Sequence, residues 1–194
     1  MKKQQIRVIA EIAILVGLAL VLDIIAGVFS PFKYGGSISP AMLPIFIIAF
    51  RRGWKSGLLA GFIFSILQLI TLGSGVFTWI VDPTPWKIVG VLMLDYVIPF
   101  TLLGIAGLFK NPFKNWKTFV LGIVVASLIR YVCHGLSGVL VWYTYAETLG
   151  LNPWFYSFIA YNLPYMAASL VFCLILGLML YNRNIWDYHL DTAK

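Results

Sequence analysis

The sequence predicts an all-α integral membrane protein, a bundle of six helices with its N- and C-termini in the cytoplasm. Three observations predict it. Of the 194 residues, 61% are hydrophobic and 11% charged, and the mean hydropathy of +0.91 lies far from that of a soluble globular domain. Apolar runs recur at about 20 residues, the length a helix needs to cross roughly 30 Å of hydrocarbon. Basic residues cluster between those runs on alternate sides, as loops on the cytoplasmic face of a bilayer do. The formal net charge of +7 therefore points to a lipid bilayer and not to nucleic acid.

The first span is residues 6–29. It follows MKKQQIR, and its apolar run is too long for the h-region of a cleaved signal, so it reads as an uncleaved helix. The second, 40–50, is short for an upright crossing and is bounded by Pro40 and by Arg51-Arg52-Gly53. Charge alternation nevertheless requires it to cross. The remaining spans are 54–72, 86–109, 119–145 and 154–181. Lys2, Lys3 and Arg7 precede the first span, Arg51, Arg52 and Lys55 follow the second, Lys110, Lys114 and Lys117 follow the fourth, and Arg183 and Lys194 follow the sixth. Eleven of the fourteen basic residues thus share one side, Lys33 and Lys87 lie on the other, and Arg130 falls within a span. No internal repeat or linker interrupts the chain, so 1–194 is expected to be a single transmembrane domain. Cys133 and Cys173 lie in apolar runs without disulfide or zinc spacing.

The rise of 1.5 Å per helical residue gives depths from the outer end: about 14 Å for Asp95, Gly138 and Asn162, about 20 Å for His134, and about 7 Å for Trp142. Tyr156 and Ser157 are shallower. His134, Gly138 and Trp142 are spaced i, i+4, i+8, close to one helical face, with Arg130 a turn further inward. Gly138 leaves room either for a flat ligand or for a neighbouring helix. An ionisable residue costs about 2.5–3.5 kcal/mol to insert, and it faces a partner or a function. For Asp95 that means a structural pair with Arg130 or His134, or reception of a cationic or amine-bearing solute from outside. Tyr34, Trp79, Trp86, Trp142, Trp154 and Tyr156 fall on the outer side, as an interfacial belt or as walls for a planar cation. The loop KYGGSISP, 33–40, reads as a mobile lid or as an ordinary turn, and Asp23 as a helix-end or loop-contacting residue.

The motifs of other classes are missing. No HExxH, GxSxG or GxxxxGK[ST] occurs, so no catalytic residue, metal ligand or cofactor is assigned. An intramembrane hydrolase is the alternative from the enzyme classes, but nothing flanking Asp23 or Asp95 suggests an aspartyl protease. For a transporter the chain is small and lacks inverted repeats, which favours a subunit that captures solute and borrows energy from partners. Ala13 and Gly17 in EIAILVGLALVLD form a small-xxx-small pair at which another helix can approach.

Five stretches together carry a family resemblance: EIAILVGLALVLD, YGGSISPAMLPIFIIAFRRGWKSGLLAG, MLDY, RYVCHGLSGV and YSFIAYNLPYM. Over nearly the whole chain they resemble the thiamine-specific substrate-binding subunits (S components) of energy-coupling factor (ECF) transporters in Gram-positive bacteria. The resemblance implies a six-helix bundle in the plasma membrane with a closed outer pocket for thiamine. It also implies a membrane coupling protein (T component) and two cytoplasmic ATPases (A components) that drive inward release. By motif, ligand contacts are implied for Asp95, Tyr96, His134, Gly138, Trp142 and Asn162, with Tyr156 and Ser157 from YS and Tyr34 as the aromatic of loop one. The Ala13 and Gly17 pair matches the docking motif, usually two alanines, that meets the coupling protein. Three departures stand out. In the family YS and YN are separated by two residues, whereas here Phe158, Ile159 and Ala160 intervene; the loop-one aromatic is often tryptophan; and some members carry glutamate where Asp95 stands. Thiamine, with its thiazolium cation and aminopyrimidine, suits aromatic walls, one counter-charge and several donors and acceptors. Another vitamin or a thiamine precursor is the nearest alternative ligand. Arg130 is also counted among the candidate substrate-binding residues, and it is expected to point inward, toward backbone carbonyls or Asp95.

Overall fold

A computed structural model describes residues 3–32, 36–72, 77–109 and 115–181, and among these the regular structure is helical throughout. The main helices are α1 (Lys3–Val28), α2 (Met42–Arg52), α3 (Trp54–Leu72), α4 (Pro85–Leu108), α5 (Trp116–Leu140) and α6 (Phe155–Tyr181). All except α2 are long and apolar enough to cross a membrane.

The short second element has a physical explanation. Every residue of α2 from Met42 to Phe50 is buried, and Ile45, Phe46, Ile48 and Ala49 are wholly so. A helix that is apolar on all sides belongs inside protein. Walled in by α1, α3, α4 and α6, α2 has no lipid-facing surface and need not match the hydrocarbon thickness. The other five surround it, and their outward faces carry exposed apolar side chains such as Ile14, Leu18, Ile70, Val171 and Met179. Apolar side chains facing out, around a buried core, are the arrangement a hydrocarbon solvent selects.

Glycine sets how closely α3 and α4 approach. A Cβ at Gly61 would strike the carbonyl of Phe100, and one at Gly104 the backbone of Leu58. At one end of the bundle, Glu11 of α1 bridges both arginines that close α2: Arg51 Nε is 2.7 Å from Oε1 and Arg52 Nε donates to Oε2 at 2.6 Å. Gly53, at φ 86°, then turns the chain into α3 with a backbone conformation that disfavours L side chains. Toward the other end, Gln68 Nε2 of α3 donates to Asp23 Oδ2 at 2.6 Å. Asp23 therefore makes an interhelical contact. Loop one is tied to α6 through Ser169, whose hydroxyl accepts from Ser39 N (3.1 Å) and donates to Ser37 O (3.0 Å).

The span expected at 119–145 is interrupted. α5 begins at Trp116, capped by Asn115, whose Oδ1 accepts from Lys117 N at 3.0 Å, and it ends at Leu140. A short helix, Tyr143–Thr148, follows. At the break, Ser137 O accepts from both Val141 N (2.7 Å) and Trp142 N (3.3 Å), widening the last turn. Hydropathy does not register such a break, because Val139, Leu140, Val141 and Trp142 are as apolar as the helix before them. Three longer irregularities lie inside spans: Leu92–Val97 of α4 and Phe155–Asn162 of α6 are π-helical, and Leu102–Leu108 of α4 is a 3-10 helix.

Candidate functional site

The two π-helical stretches hold Asp95, Tyr96, Tyr156, Ser157 and Asn162 of the residues singled out in the sequence, and π turns are frequent at functional sites. Asp95, in the first, points toward the end of α5. Its Oδ1 lies 3.2 Å from His134 Nδ1, while Oδ2 accepts from Ser137 Oγ at 2.7 Å and from Trp142 Nε1 at 3.0 Å. The carboxylate is 17% exposed and the imidazole 12%. Of the structural pairings considered for Asp95, the one with His134 is present. With a carboxylate as neighbour, Nδ1 is assigned the proton, and Nε2 is left as an acceptor with no hydrogen-bond partner.

The second π stretch lies against α5. Ser157 Oγ donates to Gly135 O at 2.7 Å. Asn162 Nδ2 donates to Ser157 O at 2.9 Å, with His134 O at 3.4 Å, and its Oδ1 accepts from Tyr165 OH at 2.6 Å. Ser157 and Asn162 are five residues apart, one turn of π-helix, so they share a face. The third residue between YS and YN is thereby absorbed, and both motifs remain turned toward α5. Phe158 O, loosened by the wide turn, accepts from Tyr131 OH at 2.6 Å.

Gly138 stands where a Cβ would collide with Cβ and Oγ of Ser157, and a Cβ at Gly135 would collide with the Phe158 ring. Of the two readings of Gly138, helix contact is the one this geometry displays. Trp142 lies beyond α5 and not on its continuous face, yet the break aims its indole at Asp95. Tyr96 packs between two apolar clusters, the core around α2 and a smaller one of Ile80, Val91 and Val141. Tyr156 stacks on Tyr161 (5.7 Å, 27°) and adjoins Tyr145 (5.8 Å). Tyr34 lies outside the described residues. Trp79, Trp86 and Trp154 are about half exposed, as belt residues are.

Arg130 departs from expectation. Its Nη1 contacts Met42 Sδ at 2.9 Å and its guanidinium covers the Phe100 ring at 4.7 Å, so it reaches neither Asp95 nor a backbone carbonyl. Three donors already occupy Asp95, and α2 brings Met42 to the place where a carbonyl was expected. Asp23 supplies an opposite charge at longer range. The same Phe100 ring meets His134 edge-on at 6.3 Å, so arginine, phenylalanine and histidine form one column behind the site.

Sequence reasoning missed Ser137, Tyr165, Gln68 and Phe100. Ser137 alone left a signal, standing three residues after His134 on the face turned to α4. On α1, Ala13 and Gly17 are exposed, and a Cβ on Gly17 would meet nothing within 4 Å. An apolar cleft of about 360 Å³ lies near the far end of α1, lined by Leu22, Phe29, Ile38 and Phe172 among others, and Asp95 is not part of it.

The chain is thus an all-helical membrane protein with a carboxylate, an imidazole, an indole and an amide gathered between its helices. Residues 9–186 match the family described as thiamine transporter protein (Thia_YuaJ), and the chain belongs to that family. It is 35% identical over 189 residues to thiamine transporter ThiT of Bacillus subtilis (strain 168), covering 92% of each chain. To thiamine transporter ThiT of Lacticaseibacillus paracasei it is 30% identical over 191 residues, covering 91% of this chain and 88% of that one. These relatives are named as transporters and not as enzymes. A solved structure of ThiT from Listeria monocytogenes superposes with a TM-score of 0.74 over 95% of this chain and 99% of its own, at 21% identity, which shows a shared fold.

Proposed function

We propose that this protein captures thiamine between α4, α5 and α6 and delivers it across the plasma membrane as the substrate-binding subunit of an ECF transporter. The observation that carries the reading is the Asp95 cluster, an acidic group held by His134, Ser137 and Trp142 inside a member of the thiamine transporter family. Asp95 serves as counter-charge for the thiazolium or as acceptor for the pyrimidine amine. Trp142 and His134 offer ring faces, and Tyr156 with Tyr161 a further aromatic surface. Asn162, Ser157 and Tyr96 supply hydrogen-bonding groups, and Gly138 keeps α5 and α6 close. Arg130 acts from behind, through Phe100. No bond of the ligand is made or broken. A chain of this size with no nucleotide-binding motif needs a T component and two A components to move the vitamin, and Ala13 and Gly17 on the exposed face of α1 are where the coupling protein docks. Both termini lie in the cytoplasm.

Titration of the purified chain with thiamine, without ATP, tests the reading. Quenching of tryptophan fluorescence and a calorimetric heat are expected, and a well-folded preparation giving neither overturns it. The same titration with thiamine phosphates, the pyrimidine precursor and other vitamins identifies the preferred ligand.

A further inference from the structure

We propose that Ser137 is the positioning residue for the Asp95 carboxylate, fixing which of its two oxygens faces the ligand. The inference rests on the thiamine reading above and adds to it a residue that carries no ligand contact of its own. A carboxylate has about four lone-pair sites. Ser137 Oγ at 2.7 Å and Trp142 Nε1 at 3.0 Å both donate to Oδ2 and fill it, whereas Oδ1 meets only His134 Nδ1 at 3.2 Å. One acceptor site on Oδ1 therefore remains. The edge of the carboxylate so left open accepts and does not donate, which suits a cation or an N–H group and disfavours an anion.

Ser137 holds this arrangement from both ends. Its side chain is fully buried, and its hydroxyl bonds Oδ2. Its carbonyl receives Val141 N and Trp142 N at the end of α5, so the same residue shapes the turn that delivers the indole to that oxygen. An aspartate carboxylate stands one methylene from Cα, and its reach is short. A hydroxyl fixed on the facing helix turns that short carboxylate to a single orientation.

The test compares thiamine affinity, by calorimetry, across wild type, Ser137→Ala, Ser137→Thr, Asp95→Asn and the double variant Asp95→Asn/Ser137→Ala. Ser137→Ala is expected to weaken binding roughly tenfold or more, since a charge-assisted hydrogen bond is lost. Ser137→Thr, which keeps the hydroxyl, should recover most of that loss. In the Asp95→Asn background the alanine substitution should cost less than about threefold, because the charge it orients is gone. An equal loss in both backgrounds would mean that Ser137 only supports the fold, and overturns the proposal. So does wild-type affinity in Ser137→Ala, or failure of threonine to rescue. Ser137→Cys keeps the volume with only a weak S–H donor and should lose affinity as alanine does, which keeps the test open if the alanine variant does not fold. Wild type that binds no thiamine removes both this proposal and the functional reading, whereas wild type that binds while Ser137→Ala binds equally well removes this one alone.

Discussion

The helices of this protein enclose the Asp95 carboxylate, and three donors offset the cost of enclosing it. Asp95→Asn keeps the size and removes the charge. It should weaken thiamine binding by about 1–3 kcal/mol in a calorimetric titration, and an unchanged affinity would leave the carboxylate with a structural duty only. Gly138→Ala tests a different property, since the new methyl group meets Ser157 at the α5–α6 contact. Overpacking of that kind costs about 1–3 kcal/mol, to be read as a lower thermal unfolding midpoint in detergent. Asp95 and His134 were legible in the sequence because a charge or an imidazole in an apolar run needs a reason. Ser137 and Tyr165 were not, because hydroxyls are common in membrane helices and sequence spacing gives depth without showing which neighbour a side chain meets. Arg130 shows the same limit. Its depth was readable, but its partner depended on α2, whose Met42 is 88 residues away in the chain.

Among the elements, α1 and α2 show two ways for a membrane helix to meet its surroundings. α2 is enclosed, and its 11 residues make sense only once its neighbours are known. α1 leaves Ala13 and Gly17 uncovered on a face that also exposes Ile14 and Leu18. Ala13→Trp should leave thiamine affinity intact and abolish uptake by cells that express the partner proteins. Loss of binding in the isolated chain would show instead that α1 shapes the site. The five long spans were readable from apolar length, and α3 was expected at 54–72, where it is found. Both π stretches and the end of α5 at Leu140 escaped, because a change of helical pitch leaves hydropathy unaltered. Only the extra residue between YS and YN hinted at one of them.

At the scale of the molecule, the orientation proposed from the distribution of Lys and Arg can be measured. Both native cysteines are buried, so single introduced cysteines report cleanly. In intact cells Leu149→Cys should react with a membrane-impermeant maleimide, and Lys117→Cys only after permeabilisation; the reverse pattern would invert the topology. Loop one offers a last consequence. Gly36, at φ 84°, rests against the ring of Tyr165, where a Cβ would come within 2.9 Å of Cε1, and the hydroxyl of that tyrosine holds Asn162. Loop and site are thus joined by a chain of contacts, which under the proposed function an occupant disturbs in order to leave. How tightly a molecule is held and how long it stays are then governed by different residues. Gly36→Ala should shorten the dwell time, measured by stopped-flow dissociation, more than it alters the rate of entry.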